Sequence, residues 1–227
     1  MTIAVVIPTL DAAATLPRTL TAIAAARSRG LVGAVIVSDG GSTDGTAAVA
    51  AAAGARWLAG PPGRGRQLAA GIAAAGAPWL LLLHADTAPA PGWEDAAARW
   101  IATPASAGRA AHFRFRLDDA SAAARRLERA VAWRTRRLGL PYGDQGLLIA
   151  AAHLDRLGGV RPLPLMEDVD LVRRIGRRNL DALPADALTS AARYRRDGWV
   201  LRPARNLACL GLYFLGLPPA AIRRLYG

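Results

Sequence analysis

The chain reads Ser38-Asp39-Gly40-Gly41-Ser42-Thr43-Asp44-Gly45-Thr46 at the point where an apolar run, Ala34–Val37, ends. The run predicts a strand, and the alanine-rich segment over 44–53 predicts a helix that Gly54 ends. Paired glycines let the backbone approach a ligand or turn through positive φ. The Ser, Thr and Asp side chains can cap the helix, whose N-terminus attracts anions. A well-capped turn with no ligand explains the stretch equally well.

The same order of strand and helix repeats on both sides of this stretch. We expect strands at 3–7, 56–59, 79–83, 111–117 and 146–150, and helices at 16–28, 67–75, 91–102, 120–138 and 167–177. Thr15 is the expected cap of the first helix. A βαβαβαβ rhythm in the first half predicts an α/β fold with a mostly parallel central sheet and helices on both faces.

We expect a single domain over 1–227, since a chain of 227 residues with 52% apolar residues can bury a sizeable core. Its parts would be a first half (1–90), a second half (91–198) and an amphipathic tail (199–227). The opening residues, Met1–Ile7, lack a basic leader and a cleavage site, and no apolar run reaches the ~18–20 residues that cross a bilayer. These features predict a cytoplasmic protein.

The net charge of +12 comes from 29 basic residues, all of which are arginine. The absence of lysine indicates the codon bias of a GC-rich genome, which weakens the charge as a sign of polyanion binding. Only Phe113–Arg116 interleaves aromatic residues with arginine, and such alternation is typical of a half-buried strand, so we expect no nucleic-acid partner. Cys209, the lone cysteine, stands in an apolar run and excludes a disulfide framework.

The tail mixes arginines with leucine, tyrosine and phenylalanine. This composition predicts peripheral contact with the inner face of the cell membrane, because apolar insertion and positive charge both favour an anionic surface. Packing of the tail on its own core, or in a homo-oligomer, explains the pattern equally well.

Acidic residues stand in four segments, of which three follow predicted strands and the fourth opens a predicted helix: Pro8-Thr9-Leu10-Asp11, Ser38–Thr46, His84-Ala85-Asp86-Thr87 and Met166-Glu167-Asp168-Val169-Asp170. Ligands of open α/β sheets bind at the carboxyl ends of the strands. The segments therefore predict a site for a divalent cation and for an anion that the cation neutralises. Mg²⁺ uses only one or two carboxylates when phosphates supply its other ligands, so one Asp could suffice. Each acid could also merely cap a turn or a helix.

Two familiar nucleotide-binding loops are absent. The run Gly63-Arg64-Gly65-Arg66-Gln67-Leu68 has leucine where a dinucleotide fingerprint requires its third glycine, and no P-loop motif is present. A nicotinamide-dependent dehydrogenase and a P-loop phosphotransferase are therefore both disfavoured.

Taken in order, the segments resemble family-2 glycosyltransferases of the GT-A fold, in particular short bacterial members of about 220–230 residues. The resemblance covers nearly the whole chain. It rests on Val-Val-Ile-Pro-Thr-Leu-Asp, Val-Ser-Asp-Gly-Gly-Ser-Thr-Asp-Gly-Thr, Gly-Arg-Gly-Arg-Gln-Leu, Leu-Leu-His-Ala-Asp-Thr, Gly-Asp-Gln-Gly and Leu-Met-Glu-Asp-Val-Asp-Leu.

The resemblance implies transfer of a sugar, of hexose type and with inversion, from a nucleoside diphosphate sugar to an acceptor hydroxyl. The implied donor site consists of Pro8, Thr9, Asp11, Asp39, Gly41, Arg64, Arg66, His84, Asp144 and Gln145. In it Asp39 would accept a hydrogen bond from the base, Arg64 and Arg66 would lie near the diphosphate, and the loop of Asp144 would floor the sugar pocket. The tail favours a lipid-like acceptor.

The resemblance also implies a metal and a base. Asp86 would coordinate Mg²⁺ or Mn²⁺, Asp168 would be the catalytic base, and Glu167 would orient the acceptor. His84 departs from the family pattern, since it stands where an Asp often contacts the ribose. Two other classes stay open: a nucleotidyltransferase, which would normally carry a glycine-rich basic loop after its first strand, and a non-catalytic nucleotide-binding module.

Overall fold

The computed structural model describes residues 2–226, which form eight strands and ten helices with three short 3₁₀ turns. The strands are β1 Ile3–Thr9, β2 Val32–Asp39, β3 Arg56–Ala59, β4 Trp79–Leu82, β5 Thr87–Pro89, β6 Ala110–Leu117, β7 Leu147–Ala150 and β8 Leu180–Thr189. The helices are α1 Leu16–Ser28, α2 Thr46–Ala52, α3 Arg64–Ala73, α4 Trp93–Ile101, α5 Ala122–Leu138, α6 Ala151–Arg156, α7 Glu167–Ile175, α8 Ala192–Asp197, α9 Leu201–Phe214 and α10 Pro219–Tyr226. The 3₁₀ turns are η1 Pro104–Gly108, η2 Gly143–Gln145 and η3 Arg177–Asn179.

All eight strands belong to one sheet, in the order β3-β2-β1-β4-β7-β6-β8-β5. The first four run parallel, because β1 pairs in parallel with β2 and β4, and β2 with β3. Strand β7 then runs antiparallel to both β4 and β6, while β6 and β8 are parallel and β5 and β8 antiparallel. The predicted α/β fold with a mostly parallel sheet is confirmed. The chain reverses its winding direction between β1 and β4, and such a switch point opens a crevice at the carboxyl ends of the strands.

Strand β1 is buried along its whole length and divides the core into two layers. Side chains of successive strand residues point to opposite faces. Val5 and Ile7 therefore pack with the apolar side of α1, whereas Val6 packs with the layer that contains Leu68 of α3 and Val169 of α7. Two covered faces explain why β1 and β4 are apolar at every position before their ends.

The structure corrects several predicted boundaries. Helix α3 begins at Arg64 and not at 67, which places this arginine in its first turn. Helix α2 begins at Thr46, since Asp44 lies before it and accepts a hydrogen bond from the Thr46 N–H at 2.9 Å. Thr15 precedes α1 as predicted, but its side chain makes no capping hydrogen bond.

The predicted tail, 199–227, forms α9 and α10 up to Tyr226, and Gly227 lies outside the described residues. Ile222 of α10 is fully buried, so this end of the chain is packed on the protein. Within residues 2–226, no helix combines the length and the hydropathy needed to cross a bilayer.

Candidate active site

A cleft lies at the carboxyl ends of the central strands. It is lined by Arg64, His84, Asp86, Tyr142, Asp144, Leu165, Met166, Asp168, Val169, Thr189, Ser190, Arg193, Tyr194, Arg202, Asn206 and Cys209. Five of the residues predicted from the sequence are among them: Arg64, His84, Asp86, Asp144 and Asp168. These five come from four distant segments, and folding brings them to one place as the strand order requires.

The loops that follow β1 and β2 are joined by hydrogen bonds into one rim beside the cleft. The Asp11 N–H donates to the Ser42 hydroxyl at 2.8 Å, and the Thr43 N–H donates to the Asp11 carboxylate at 2.9 Å. The Ala13 N–H donates to Asp44 at 2.9 Å. Asp11 adopts φ 47°, a conformation that few non-glycine residues accept and that these bonds hold in place. Hydrogen bonds within the protein therefore fix the conformation of the rim.

Asp39, the last residue of β2, binds the end of β1 and the loop that follows β2. Its carboxylate accepts hydrogen bonds from the Thr9 hydroxyl (2.9 Å), the Gly41 N–H (2.8 Å), the Ser42 N–H (2.7 Å) and the Ser42 hydroxyl. Burial acts to raise the pKa of Asp39, but the hydrogen bonds from Ser42, Gly41 and Thr9 outweigh it and lower the pKa below its ordinary value. Because four donors already bind the Asp39 carboxylate, a hydrogen bond from the base of a nucleotide would have to replace one of them. That contact stays a prediction.

The remaining predicted residues of the first two loops lie around Asp39. Pro8 and Thr9 are buried at the end of β1. Gly41 is exposed with φ 96°, and open space surrounds the position of a Cβ atom, so this backbone is accessible to a ligand. Sequence reasoning missed Gln67, whose side-chain amide donates to the Thr9 and Ser38 carbonyls and ties β1 to β2. The available signal was its place in the run Gly63-Arg64-Gly65-Arg66-Gln67-Leu68, between Arg66 and an apolar residue.

The two arginines in the first turn of α3 face different surroundings. Arg64 lines the cleft and forms an ion pair with Glu167. Arg66 is exposed and is not among the residues that line the cleft. Gly65, between them, packs so closely on the loop after β7 and α6 that a Cβ atom would lie 2.5 Å from the Arg161 carbonyl oxygen. The glycine therefore sets the position of the helix start and of Arg64.

The Glu167-Asp168 pair opens α7 with two different environments. Glu167 is 1% exposed, one of its oxygens pairs with Arg64, and the other has no hydrogen-bond partner among the described residues. Burial raises the pKa of Glu167, and the Arg64 charge opposes that rise. Asp168 faces the cleft and accepts hydrogen bonds from the Gly143 N–H at 3.0 Å and the Val169 N–H at 2.8 Å.

Asp168 is a carboxylate at neutral pH. Burial alone would raise its pKa, but the Arg64 charge and the hydrogen bond from Gly143 lower it below the ordinary value. A charged oxygen in a cleft can accept a hydrogen bond from a hydroxyl and then its proton.

His84 is neutral. Burial, with a second contribution from the Arg64 charge, lowers the pKa of its imidazole to about 4. Its ring lies so close to Gly143 that a side chain at that position would clash with Nε2. His84 therefore packs against the η2 turn. In this way it helps to position the Gly143 N–H that donates to Asp168.

Asp86 and Asp144 are the remaining acids of the cleft. The guanidinium of Arg193 lies 4.0 Å from the Asp86 carboxylate. One Asp144 oxygen, Oδ1, is buried without a hydrogen-bond partner among the described residues. Burial raises the pKa of Asp144 to about 6, and the nearby Asp168 and Asp86 charges add to the rise while Arg134 opposes it. A buried carboxylate oxygen without a partner is costly and is typical of a group that awaits a ligand.

Replacing Asp144 with asparagine is expected to stabilise the ligand-free, metal-free protein at high pH. The folded-state pKa of Asp144, about 6, lies above the ordinary 3.8. A raised pKa contributes stability below pH 3.8 that is lost as the pH rises through 6. At pH 8 the free energy of unfolding of the Asp144→Asn variant should therefore exceed that of the wild type by about 3 kcal/mol, and near pH 3.5 the difference should vanish. Urea unfolding across this pH range measures it. A constant difference at all pH values would contradict the assignment.

Gln145 lies behind the cleft. Its amide donates to the Phe113 carbonyl at 3.1 Å and its oxygen accepts from the Thr135 hydroxyl at 3.0 Å, and the side chain is 2% exposed. These bonds anchor the η2 turn that carries Asp144. The structure therefore places Gln145 in a supporting position and not in the lining.

The outer wall of the cleft was not foreseen. Arg202, Asn206 and Cys209 follow one another at helical spacing on α9, and Arg193 and Tyr194 belong to α8. The spacing was visible in the sequence, but nothing in it indicated that this helix folds back over the strand ends. Cys209 is buried, and burial raises the pKa of its thiol.

Comparison with known proteins gives a family and a fold. The model of the family described as "Glycosyl transferase family 2" matches residues 4–146, more than half of the chain. Glucosyl-3-phosphoglycerate synthase from Mycobacterium tuberculosis, solved with Mn²⁺, UDP and glucosyl-3-phosphoglycerate, is 22% identical, with 83% of this chain and 70% of that chain covered at a TM-score of 0.57. The same synthase with Mn²⁺ and UDP-glucose gives 22% identity, 83% and 69% coverage and a TM-score of 0.59.

A further solved structure described as a mycobacterial protein is 25% identical, with 83% and 65% coverage and a TM-score of 0.58. No curated protein sequence matches the chain. The structural likenesses confirm the predicted GT-A fold.

Proposed function

The chain belongs to glycosyl transferase family 2, and from that premise we propose that it moves a sugar from a nucleoside diphosphate sugar to an acceptor hydroxyl with inversion. The observation that carries the proposal is the meeting of Arg64, Asp86 and Asp168 in one cleft beside a preformed rim. The Arg64 guanidinium, the partly buried acid Asp86 and the ionised Asp168 in one cleft are the groups that such a transfer uses.

The donor would lie across the rim and into the cleft. The exposed backbone at Gly41 and the joined loops offer hydrogen-bonding groups to the nucleoside, with Asp11 and Asp39 beneath it. Arg64, which lines the cleft, would neutralise the diphosphate, and the unpartnered oxygen of Asp144 would bind a ligand there. Arg66, on the exposed side of α3, would contribute only long-range attraction.

The acids of the cleft fit a divalent cation that the donor brings with it. Residues 2–226 contain no group of three or more His, Cys, Asp or Glu side chains able to hold a metal by themselves. Mg²⁺ or Mn²⁺ would therefore take one oxygen from Asp86, a second from the unpartnered Asp144 oxygen, and the rest from phosphates and water. When bound, the ion would supply charge stabilisation for the departing diphosphate. The synthase structures named above contain Mn²⁺ together with UDP or UDP-glucose.

Asp168 would accept the proton of the acceptor hydroxyl. As that oxygen forms its bond to the anomeric carbon, the bond from carbon to the diphosphate oxygen breaks, and the nucleoside diphosphate leaves on the opposite side. One such displacement inverts the configuration. The lowered pKa keeps Asp168 ionised, and the Gly143 N–H fixes one of its oxygens.

Glu167 acts indirectly in this proposal. Its side chain is almost completely buried and pairs with Arg64. We therefore propose that Glu167 positions the arginine, a role different from the acceptor contact that the family resemblance implied.

Incubation of the protein with a panel of labelled nucleoside diphosphate sugars tests the proposal. We expect release of sugar and nucleoside diphosphate from one donor, slow without acceptor and dependent on Mg²⁺ or Mn²⁺. The same donor should raise the melting temperature, because ligand at about 100 times its Kd adds about 2.7 kcal/mol of stability. Release of pyrophosphate would indicate a nucleotidyltransferase, and binding without turnover would indicate a non-catalytic module. Either result would refute the proposal.

A further inference from the structure

We propose that the protein docks on an anionic lipid surface through a basic–apolar face. The face consists of the outer side of α9 together with the last two turns of α5 and the arginines of α7 and η3 between them. The proposal rests on the proposed function, since it gives a lipid-like acceptor a route to the cleft.

The two sides of α9 differ completely in chemistry. The inner side carries Arg202, Asn206 and Cys209, which line the cleft. The outer side carries only apolar residues and glycine, all exposed: Val200, Leu201, Ala204, Leu207, Ala208, Gly211, Phe214 and Leu215. Val200, Leu201 and Leu215 are 74–80% exposed. Arg205 is exposed at the edge of this side, where it pairs with Asp197. The rest of the side has no polar side chain, which is unfavourable for a surface that faces water.

A second apolar patch lies at the end of α5. Trp133 is 55% exposed and Leu138 is 51% exposed. Arg136 and Arg137, exposed in the same turn, follow Trp133 by three and four residues, so the three share one side of the helix. Tryptophan beside arginine is the pairing found at membrane–water boundaries.

Contacts of exposed arginines connect the two patches. The side chain of Arg177 in η3 donates to the Arg136 carbonyl at 3.2 Å, which joins η3 to the end of α5. One turn before η3, the guanidinium of Arg173 lies 4.9 Å from the centre of the Phe214 ring, which joins α7 to α9. The apolar groups of both helices are thus parts of one surface with arginines between them.

The positive charge of the face distinguishes between its possible partners. A second copy of the chain related by a two-fold axis would bring arginine against arginine, which is unfavourable. A nucleic acid would require aromatic platforms for its bases, whereas the outer side of α9 is mostly aliphatic. An anionic bilayer satisfies both components, since apolar side chains enter the acyl boundary and arginines meet the headgroups. At 14 residues α9 is about 20 Å long, which suits a helix that lies in the surface and not one that crosses it.

Vesicle flotation with the full chain tests the proposal. The vesicles contain phosphatidylcholine alone, or phosphatidylcholine with a minority of phosphatidylglycerol. We compare the wild type with Leu207→Ser/Leu215→Ser, which changes no charge, and with Arg136→Glu/Arg137→Glu. The matched control is Arg56→Glu/Arg99→Glu, which makes the same charge change at exposed positions outside the face.

We expect the wild type to float with the anionic vesicles and only weakly with the neutral ones. Each face variant should lose about tenfold or more in partition, while the control should keep most of it. Any of four results would overturn the proposal: no binding by the wild type, full binding by the serine variant, equal loss in the control, or a dimer or oligonucleotide complex that only the face variants disrupt. Donor hydrolysis measured without vesicles reports separately on the proposed function, so one can fail without the other.

Discussion

The Asp168→Asn variant is expected to lose sugar transfer by about 10²–10⁴-fold while its donor affinity stays within a few-fold of the wild type. The amide can still accept the Gly143 N–H, so the η2 turn should keep its place, but the amide cannot take a proton from the acceptor. The loss should therefore appear in kcat. Steady-state kinetics with the preferred donor, together with calorimetric binding of the nucleoside diphosphate, measures both quantities.

Asp170→Asn is the matched control for this experiment. Asp170 lies in the same turn of α7, pairs with Arg161 and Arg174, and does not line the cleft. We expect it to lower stability and to leave kcat nearly unchanged. A parallel loss of donor binding and transfer in Asp168→Asn, or an equal loss of kcat in the control, would remove Asp168 from the role of base.

The Asp86→Asn variant is expected to lose the metal dependence of donor binding. With Mn²⁺ present, its affinity for the nucleoside diphosphate should fall about 10–100-fold, the cost of one charge-assisted contact. With a chelator present, the variant and the wild type should bind equally. Calorimetric titrations in the two buffers measure the difference, and Asp95→Asn, a change on α4 at a half-exposed residue outside the cleft, serves as the control. A wild type that binds equally with and without metal would contradict the assignment.

The first half of the fold was predictable because its strands are covered on both faces. Unbroken apolar runs identify β1 and β4, and helix α1 begins and ends at the predicted residues. Strands β5 and β8 were not predicted from the sequence. The sequence of β8, Leu-Asp-Ala-Leu-Pro-Ala-Asp-Ala-Leu-Thr, contains alanine, aspartate and proline, which disfavour strands, and its form depends on pairing with β6 and β5.

For the candidate site, sequence order indicated which acids meet but not how they are used. Position at a strand end was sufficient to place Asp86 at the carboxyl edge of the sheet. Asp168 lies in the first turn of α7, and its meeting with Asp86 was implied by the family resemblance. The direction of a side chain depends on packing that a sequence does not display. Arg66 and Gln145 turn away from the cleft for this reason, and Asp39 uses its oxygens within its own loop.

The placement of α9 has a practical consequence for work on this enzyme. Helix α9 supplies one wall of the candidate active site, and Arg202 within it forms an ion pair with Asp197. Shortening the polypeptide at residue 198 would therefore remove one wall of the candidate active site together with the α9 part of the proposed lipid-facing surface. Inactivity of such a truncation would therefore not test membrane binding. Single side-chain changes on the outer side of α9 are needed to separate its contribution to the cleft from its proposed contact with lipid.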